Sequence, residues 1–488
     1  MNLRNATFSA TRWTTAAAVT RAVLQLLQTA ILARLLAPAD FGLMAMAGVA
    51  LGIALLLSDF GLSSALMHFP SPGLPTLSTL YWINLGLGTL LGLLFAATAW
   101  PLTHIYGQAE LLPLLALLAL TFPLSALGQP FRILAEKTLQ FRPLAQNEII
   151  AAVLGFLVAL ALAATNSGVY ALAAGTLITT GVGSLLAWWR LSEGVRPNWY
   201  FSPALAKSYL AFGLHRVGDG FWNAMLMQSD IFLAGLIASP SFVAHYTVPR
   251  DLCLKIANAV INPVITRVGL PVMTQLQHDQ VALRSVYLKT LRMAASLNFP
   301  TYALLALFAE DVVALLLGPQ WLGAALYMRI FALWGLIRST GNPVGSLIYA
   351  VGIAKRAHIW NLTLFLFTAP LLWIAAKFGG LLGLAWTLLI WQACIFWLAW
   401  RHLVRPACGA SFFAYCASLA APFIVTAITA GATLICIQSI SPVSWRLPSG
   451  AVFFGTLYLA LSRHYNLEWW NAMRQLLAPL SELRQRLR

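Results

Sequence analysis

Thr14, Arg21, Gln25 and Gln28 recur at intervals of seven, four and three residues inside an otherwise apolar run, Arg12–Leu35. At 3.6 residues per turn they share one stripe of a helix. A charge near the middle of a membrane helix costs about 2.5–3.5 kcal/mol on insertion scales, and three more polar groups beside it make lipid a poor neighbour. The chemistry such a stripe offers is a wet, cation-lined surface for an anionic group. The alternative is that Arg21 pairs with a carboxylate on an adjacent helix. Arg21 lies nine residues beyond Arg12, and Arg216 nine beyond Lys207, so both guanidinium groups sit roughly 14 Å into their helices at the usual rise per residue. Arg250 and Lys255 fall within one further span and Arg338 within another. A guanidinium presents a planar fork that matches phosphate oxygens. Arg21, Gln25, Gln28, Arg216, Arg250, Lys255 and Arg338 are therefore the expected substrate-binding set.

Carboxylates are fewer. Asp219 and Asp230 lie in the same span as Arg216, with Glu148, Asp251 and Asp59 elsewhere. Buried Asp residues that titrate during transport would couple it to an ion, which makes Asp219 and Asp230 the expected coupling pair. Interhelical salt bridges are the alternative, and Asp219, three residues from Arg216, is placed for a local one. The five cysteines (Cys253, Cys394, Cys408, Cys416 and Cys436) include no C-x-x-C pair. That spacing argues against a disulfide framework or a metal site. No phosphate-binding glycine loop, nucleophile elbow or H-E-x-x-H motif is present, so the expectation is no enzyme, no cofactor and no metal.

The elements that must position these residues follow from composition. The chain has 488 residues, 60% hydrophobic and 9% charged, against about 25% charged in soluble domains. A net charge of +16 would suggest nucleic acid in a soluble protein. Here Lys and Arg cluster in short connections between apolar runs, so membrane topology and anionic lipid account for them and nucleic acid is excluded. The pattern predicts an all-α polytopic membrane protein with about fourteen spans. Basic residues mark alternate connections (Arg132/Lys137/Arg142, Arg190/Arg196/Lys207, Arg284/Lys289, Lys355/Arg356, Arg401/Arg405) and the C-terminal tail. This bias predicts both termini in the cytoplasm. The first apolar run is too long and too charged for a cleavable signal. In residues 464–488, Trp469, Met473, Leu476, Leu480, Leu483 and Leu487 repeat at three- and four-residue spacing between arginines, the pattern of an interfacial amphipathic helix.

The chain also echoes itself. LLAPADFG at 35–42 matches LIASPSFV at 236–243, IYGQAEL at 105–111 matches LLGPQWL at 316–322, and Gly128-Gln129-Pro130 matches Gly341-Asn342-Pro343. GVYALA at 168–173 matches GLLGLA at 380–385, and the offsets stay between 201 and 213. The expected organisation is two pseudo-symmetric six-helix lobes, 1–200 and 201–405, then two further helices in 406–463 and the tail helix 464–488. An even number of spans per copy makes the repeats parallel, an arrangement suited to alternating access around a central site.

LARLLAPADFGLMAMA at 32–47, LSDFGLSSALM at 57–67, QSDIFLAGLIASPSFVAHYTVPRDL at 228–252 and NAVINPVITRVGLPVMTQLQHD at 258–279 resemble the Wzx-type polysaccharide and O-antigen flippases of the MOP exporter superfamily, in order and over essentially the full chain. The resemblance implies a bacterial inner-membrane flippase that moves an undecaprenyl-diphosphate-linked oligosaccharide outward for exopolysaccharide or lipopolysaccharide synthesis. It implies an arginine-lined cavity, membrane lipid as surroundings, and polysaccharide polymerase and chain-length proteins as partners. A cation-coupled multidrug exporter of the same superfamily is the alternative, disfavoured by the arginine excess; a membrane glycan polymerase or ligase is a more distant one.

Overall fold

A computed structural model describes residues 3–58, 61–69, 72–192, 196–256, 262–437 and 443–477. Within these, the side chains of 3–17, 19, 64, 212–220, 256, 262–268, 354–355, 437, 443–444 and 475–477 are not described. The described residues form helices joined by short connections. In chain order they are α1 (Leu3–Leu35), α2 (Pro38–Ser58), α3 (Leu62–His68), α4 (Leu74–Tyr106), α5 (Leu111–Leu118), α6 (Thr121–Lys137), α7 (Phe141–Ala164) and α8 (Val169–Arg190). Then follow α9 (Pro203–Ile237), α10 (Pro240–Ile256), α11 (Asn262–Gln275), α12 (Gln280–Leu307), α13 (Ala309–Leu316), α14 (Ala325–Arg338) and α15 (Asn342–Ala350). The last five are α16 (Ala354–Ala399), α17 (Arg405–Cys408), α18 (Phe412–Ile437), α19 (Val443–Tyr465) and α20 (Leu467–Leu477).

Among the described residues, eight helical stretches are long and apolar enough to cross a bilayer, or nine if the α12–α13 pair, bent by 79°, is one crossing. This is a multi-pass membrane protein. The stretch Arg356–Cys408 is counted once although it has 53 residues, roughly 80 Å of helix and enough for two crossings. Helices α1 and α9, which carry Arg21 and Arg216, are described only in part, so this number does not include them.

The internal repeat is visible in the backbone. Both α1–α2 and α9–α10 break after a long helix and restart on a proline, Pro38 and Pro240. Gly168 (φ 53°, ψ −135°) and Gly380 (φ 58°, ψ −150°) share one conformation, open only to a residue without Cβ. Gly168 begins α8, and Gly380 divides the long α16 run in two. Gly107 and Gly318 likewise take positive φ just past the ends of α4 and α13.

Two compact units form, Met1–Val248 with His358–Leu384, and Pro249–Ala357 with Ala385–Arg488. They cut across the repeat boundary at 200/201: α9 and the start of α10 pack with α1–α8, as does the first half of α16. In the first unit, Leu32, Leu36, Ala159, Ala163 and Ala171 form one buried cluster, and Tyr81, Phe131, Leu144 and Ala187 another. Helices α7 and α8 meet at backbone distance. A Cβ on Gly155 would lie 1.9 Å from the Thr179 hydroxyl oxygen and 2.6 Å from the Gly175 carbonyl oxygen. Segment 196–202 is pinned to the start of α4: the Trp82 indole donates to the Asn198 carbonyl (2.9 Å), and Trp199 stacks on Trp82 at 4.4 Å. Such aromatic pairs suit a membrane–water interface.

In the second unit, α20 docks on α12 and α19. Trp469 is buried against Tyr458 and Phe454, with Met473 packed alongside. The Asn466 amide donates to the Ser296 hydroxyl (2.7 Å), Tyr458 donates to the Ser296 carbonyl (2.8 Å), and Arg292 pairs with Glu468 at 2.7 Å. The amphipathic pattern expected of the tail therefore spends part of its apolar face on protein; residues 478–488 lie outside the described ones. Trp469→Ala should cost about 3–5 kcal/mol of local stability and open the chain to protease near residue 465. Limited proteolysis in detergent checks this, and an unchanged digestion pattern would contradict the docking.

Candidate functional site

Arg21 projects from the middle of α1 to α7, where its Nη1 lies 3.1 Å from a Glu148 carboxylate oxygen. The side chains keep 44% and 33% of their exposure. Charges inside an apolar helix are costly in hydrocarbon, and here each answers the other. Gln25 is exposed and Gln28 half-buried along the same helix. The Thr29 hydroxyl turns back to the Gln25 carbonyl at 2.8 Å.

A second guanidinium stands beside this pair. Arg132, which its sequence position suggested was in a connecting loop, lies inside α6, one turn before the helix ends. It is partly buried and within electrostatic reach of Glu148, Glu136 and Arg21. Among the described residues it makes no ion pair within 4 Å. Next to it, Arg190 of α8 donates to Asn147 (2.9 Å) and Gln146 (3.3 Å) of α7. Lys137 is spent on structure: its ammonium donates to the Leu66 carbonyl at 2.7 Å and to the Phe69 carbonyl, which ties α6 to the end of α3. The last turns of α6 and α8 and the first turns of α7 thus form one polar layer facing the α1 stripe. Sequence reasoning missed Arg132 because a basic residue near a helix end reads equally well as a topology signal.

The same unit holds an apolar slot of about 870 Å³ between α2, α4, α9 and the first half of α16. Its walls include Ile53, Phe95, Ile105, Phe232, Phe365 and Trp373. Two of its hydroxyls are satisfied within their own helices, Thr98 on the Phe95 carbonyl (2.7 Å) and Ser229 on the Leu226 carbonyl (2.9 Å). The Gln228 amide lies across Gly52, where a Cβ would be 2.5 Å away. On α4 the lining runs from Leu91 to Ile105, roughly 21 Å along the helix. The lining is almost wholly apolar.

The other expected residues divide as follows. Asp230 is buried and accepts from the Tyr246 hydroxyl at 3.0 Å, which gives it a hydrogen-bond donor. Arg250 is buried, with Nη1 at 3.3 Å from Asp251. Lys255, on the same helix, is half-buried. Arg338 lies over the Trp334 ring at 5.0 Å and near Tyr302, whose hydroxyl donates to the Cys253 carbonyl at 2.9 Å. Arg250, Lys255 and Arg338 belong to the second unit. The side chains of Arg216 and Asp219 lie outside the described residues, as does Asp59. Among the described residues, no three His, Cys, Asp or Glu side chains gather to hold a metal.

A bundle of membrane-crossing helices with a repeated break, and with a polar layer and an apolar slot inside the first unit, has the character of a polytopic membrane transport protein. Residues 31–326 match the family model described as polysaccharide biosynthesis protein. The chain belongs to this family. It is 28% identical over 426 residues to the lipopolysaccharide biosynthesis protein WzxC of Escherichia coli (strain K12), covering 87% of this chain and 86% of that one. It is 27% identical to the teichuronic acid biosynthesis protein TuaB of Bacillus subtilis (strain 168), covering 86% of each. Its fold is similar to that of the lipid II flippase MurJ in an inward closed conformation, with a TM-score of 0.70 at 12% identity over 92% of this chain and 97% of that one. An inward-facing MATE family multidrug transporter of the MOP superfamily aligns with a TM-score of 0.50 at 18% identity, over 79% of this chain and 93% of that one.

A half-exposed ion pair contributes about 0–1 kcal/mol. Arg21→Ala should therefore barely move the thermal midpoint of the purified protein. A loss on the scale of a buried, uncompensated charge, about 3–5 kcal/mol, would mark the pair as structural.

Proposed function

We propose that the protein flips a polyprenyl-diphosphate-linked oligosaccharide across the bacterial inner membrane for polysaccharide assembly. What supports the reading is the presence, in one compact unit, of a guanidinium-bearing polar layer and an apolar slot. An amphipathic cargo needs both. Its diphosphate requires donors with fixed charge, which guanidinium groups supply bidentately. Its hydrocarbon chain requires a space from which water is absent. Family membership and the names of the relatives, which place those proteins in lipopolysaccharide and teichuronic acid biosynthesis, support the same class of cargo.

In this reading Arg21, with Gln25 and Gln28, receives the headgroup on the cytoplasmic side, and Arg250, Lys255, Arg338 and Arg216 serve it from the second lobe. The repeats alternate access between the leaflets around it. Both termini face the cytoplasm, in keeping with the basic connections. Asp219 and Asp230 are the carboxylates through which an ion gradient would act. Polymerase and chain-length proteins take up the exported unit.

A strain lacking the gene should stop exporting one polysaccharide and accumulate its lipid-linked repeat unit in the inner leaflet, measured by lipid extraction and mass spectrometry. Unchanged export without accumulation would refute the function. Reintroduced protein bearing Ala54→Phe and Ala369→Phe, which fill the slot, should restore export poorly while melting close to wild type. Full restoration would remove the slot from the reading.

A further inference from the structure

Glu148 interacts with two guanidinium groups, one in contact and one at longer range. It pairs with Arg21 at 3.1 Å and sits within electrostatic reach of Arg132. Heights along the helices agree. Arg132 lies five residues before the end of α6 and Glu148 seven after the start of α7, roughly 8 and 10 Å in from the side where the two helices join. Arg132 holds its place because α8 leaves room for it. A Cβ on Gly183 would come within 2.7 Å of the Arg132 Nη2 and 3.5 Å of the Ala151 Cβ. The guanidinium thus lies against α8 at a glycine, where that helix offers no side chain. Arg21 and Arg132 with Glu148 and Glu136 form a set of two positive and two negative charges within the layer, so these two arginines are already compensated. Compensated arginines hold no further anion strongly. The set becomes an anion site when a carboxylate is exchanged for an incoming phosphate.

We propose that Glu148 is a resident counter-ion that the cargo's diphosphate displaces, and that Arg132, positioned by Gly183, joins Arg21 as the second arm of the phosphate clamp. This rests on the proposed function and names residues beyond the set expected from sequence. Phosphate oxygens accept from both guanidinium groups, while the Glu148 carboxylate is released to the space that already exposes it. The exchange keeps charge compensated throughout, so neither arginine is left bare inside the membrane. Gly183 acts only through Arg132 and is a positioning residue.

The test uses the full-length protein in phosphatidylcholine nanodiscs with geranylgeranyl diphosphate as the probe. Arg132→Ala should weaken binding at least about tenfold, the scale of losing one charge-assisted hydrogen bond. Glu148→Gln should tighten it by roughly two- to fivefold, because a competing anion is gone. A merely structural role for Glu148 would give the opposite sign. Gly183→Ala should weaken binding in wild type and add nothing in the Arg132→Ala background, the signature of one shared interaction. Thermal melts of each variant separate misfolding from loss of the site, and Arg132→Lys serves where Arg132→Ala does not fold. Unaltered binding by Arg132→Ala, or weakened binding by Glu148→Gln, overturns the proposal. Displacement of the probe by phosphatidylglycerol at equal concentration also overturns it, since the site would then read any lipid phosphate. If the deletion strain accumulates lipid-linked units but Arg132→Ala exports normally, the flipping function stands and this inference alone fails.

Discussion

A charge carried into hydrocarbon has to be answered by another charge or by water, and the arrangement of the first compact unit follows from that requirement. Arg21 is answered by Glu148 across the α1–α7 seam, and both stay partly exposed. The surrounding helices are shaped to permit this. Small residues let α7 and α8 approach at backbone distance around Gly155 and Gly175. That close approach brings Asn147 and Gln146 within reach of Arg190, and places Gly183 against Arg132. The tight apolar seam and the polar layer are two results of the same packing.

The contrast between layer and slot is also one of solvation. In the slot, the Thr98 and Ser229 hydroxyls are turned back onto their own helices and the walls are mostly branched or aromatic, with the Gln228 amide the polar exception. In the layer, the acceptors and donors belong to different helices, so they stay available to a third party. Two environments of opposite polarity inside one unit are what an amphipathic molecule needs.

Much of this was legible before any coordinates. The α1 stripe follows from helical periodicity, and the alternative written into it, an acidic partner for Arg21, is the contact the structure shows. The repeat was legible because it rests on glycine and proline, whose backbone demands survive when side chains drift. The identity of the partner was not legible, since pairing Arg21 with Glu148 requires knowing which helices touch. Arg132 was hidden by an ambiguity of chemistry, one residue type serving both as a topology marker and as a buried ligand. The composition of the two compact units was hidden as well. Assigning 358–384 to the first unit depends on tertiary packing that no local pattern encodes.

Gly168 and Gly380 hold the same bend. Their shared torsion angles place the chain in a region closed to every L-residue with a side chain. At each of the two places a single hydrogen atom stands where a carbon would otherwise be, and a methyl there would unseat the start of α8 or the break within α16.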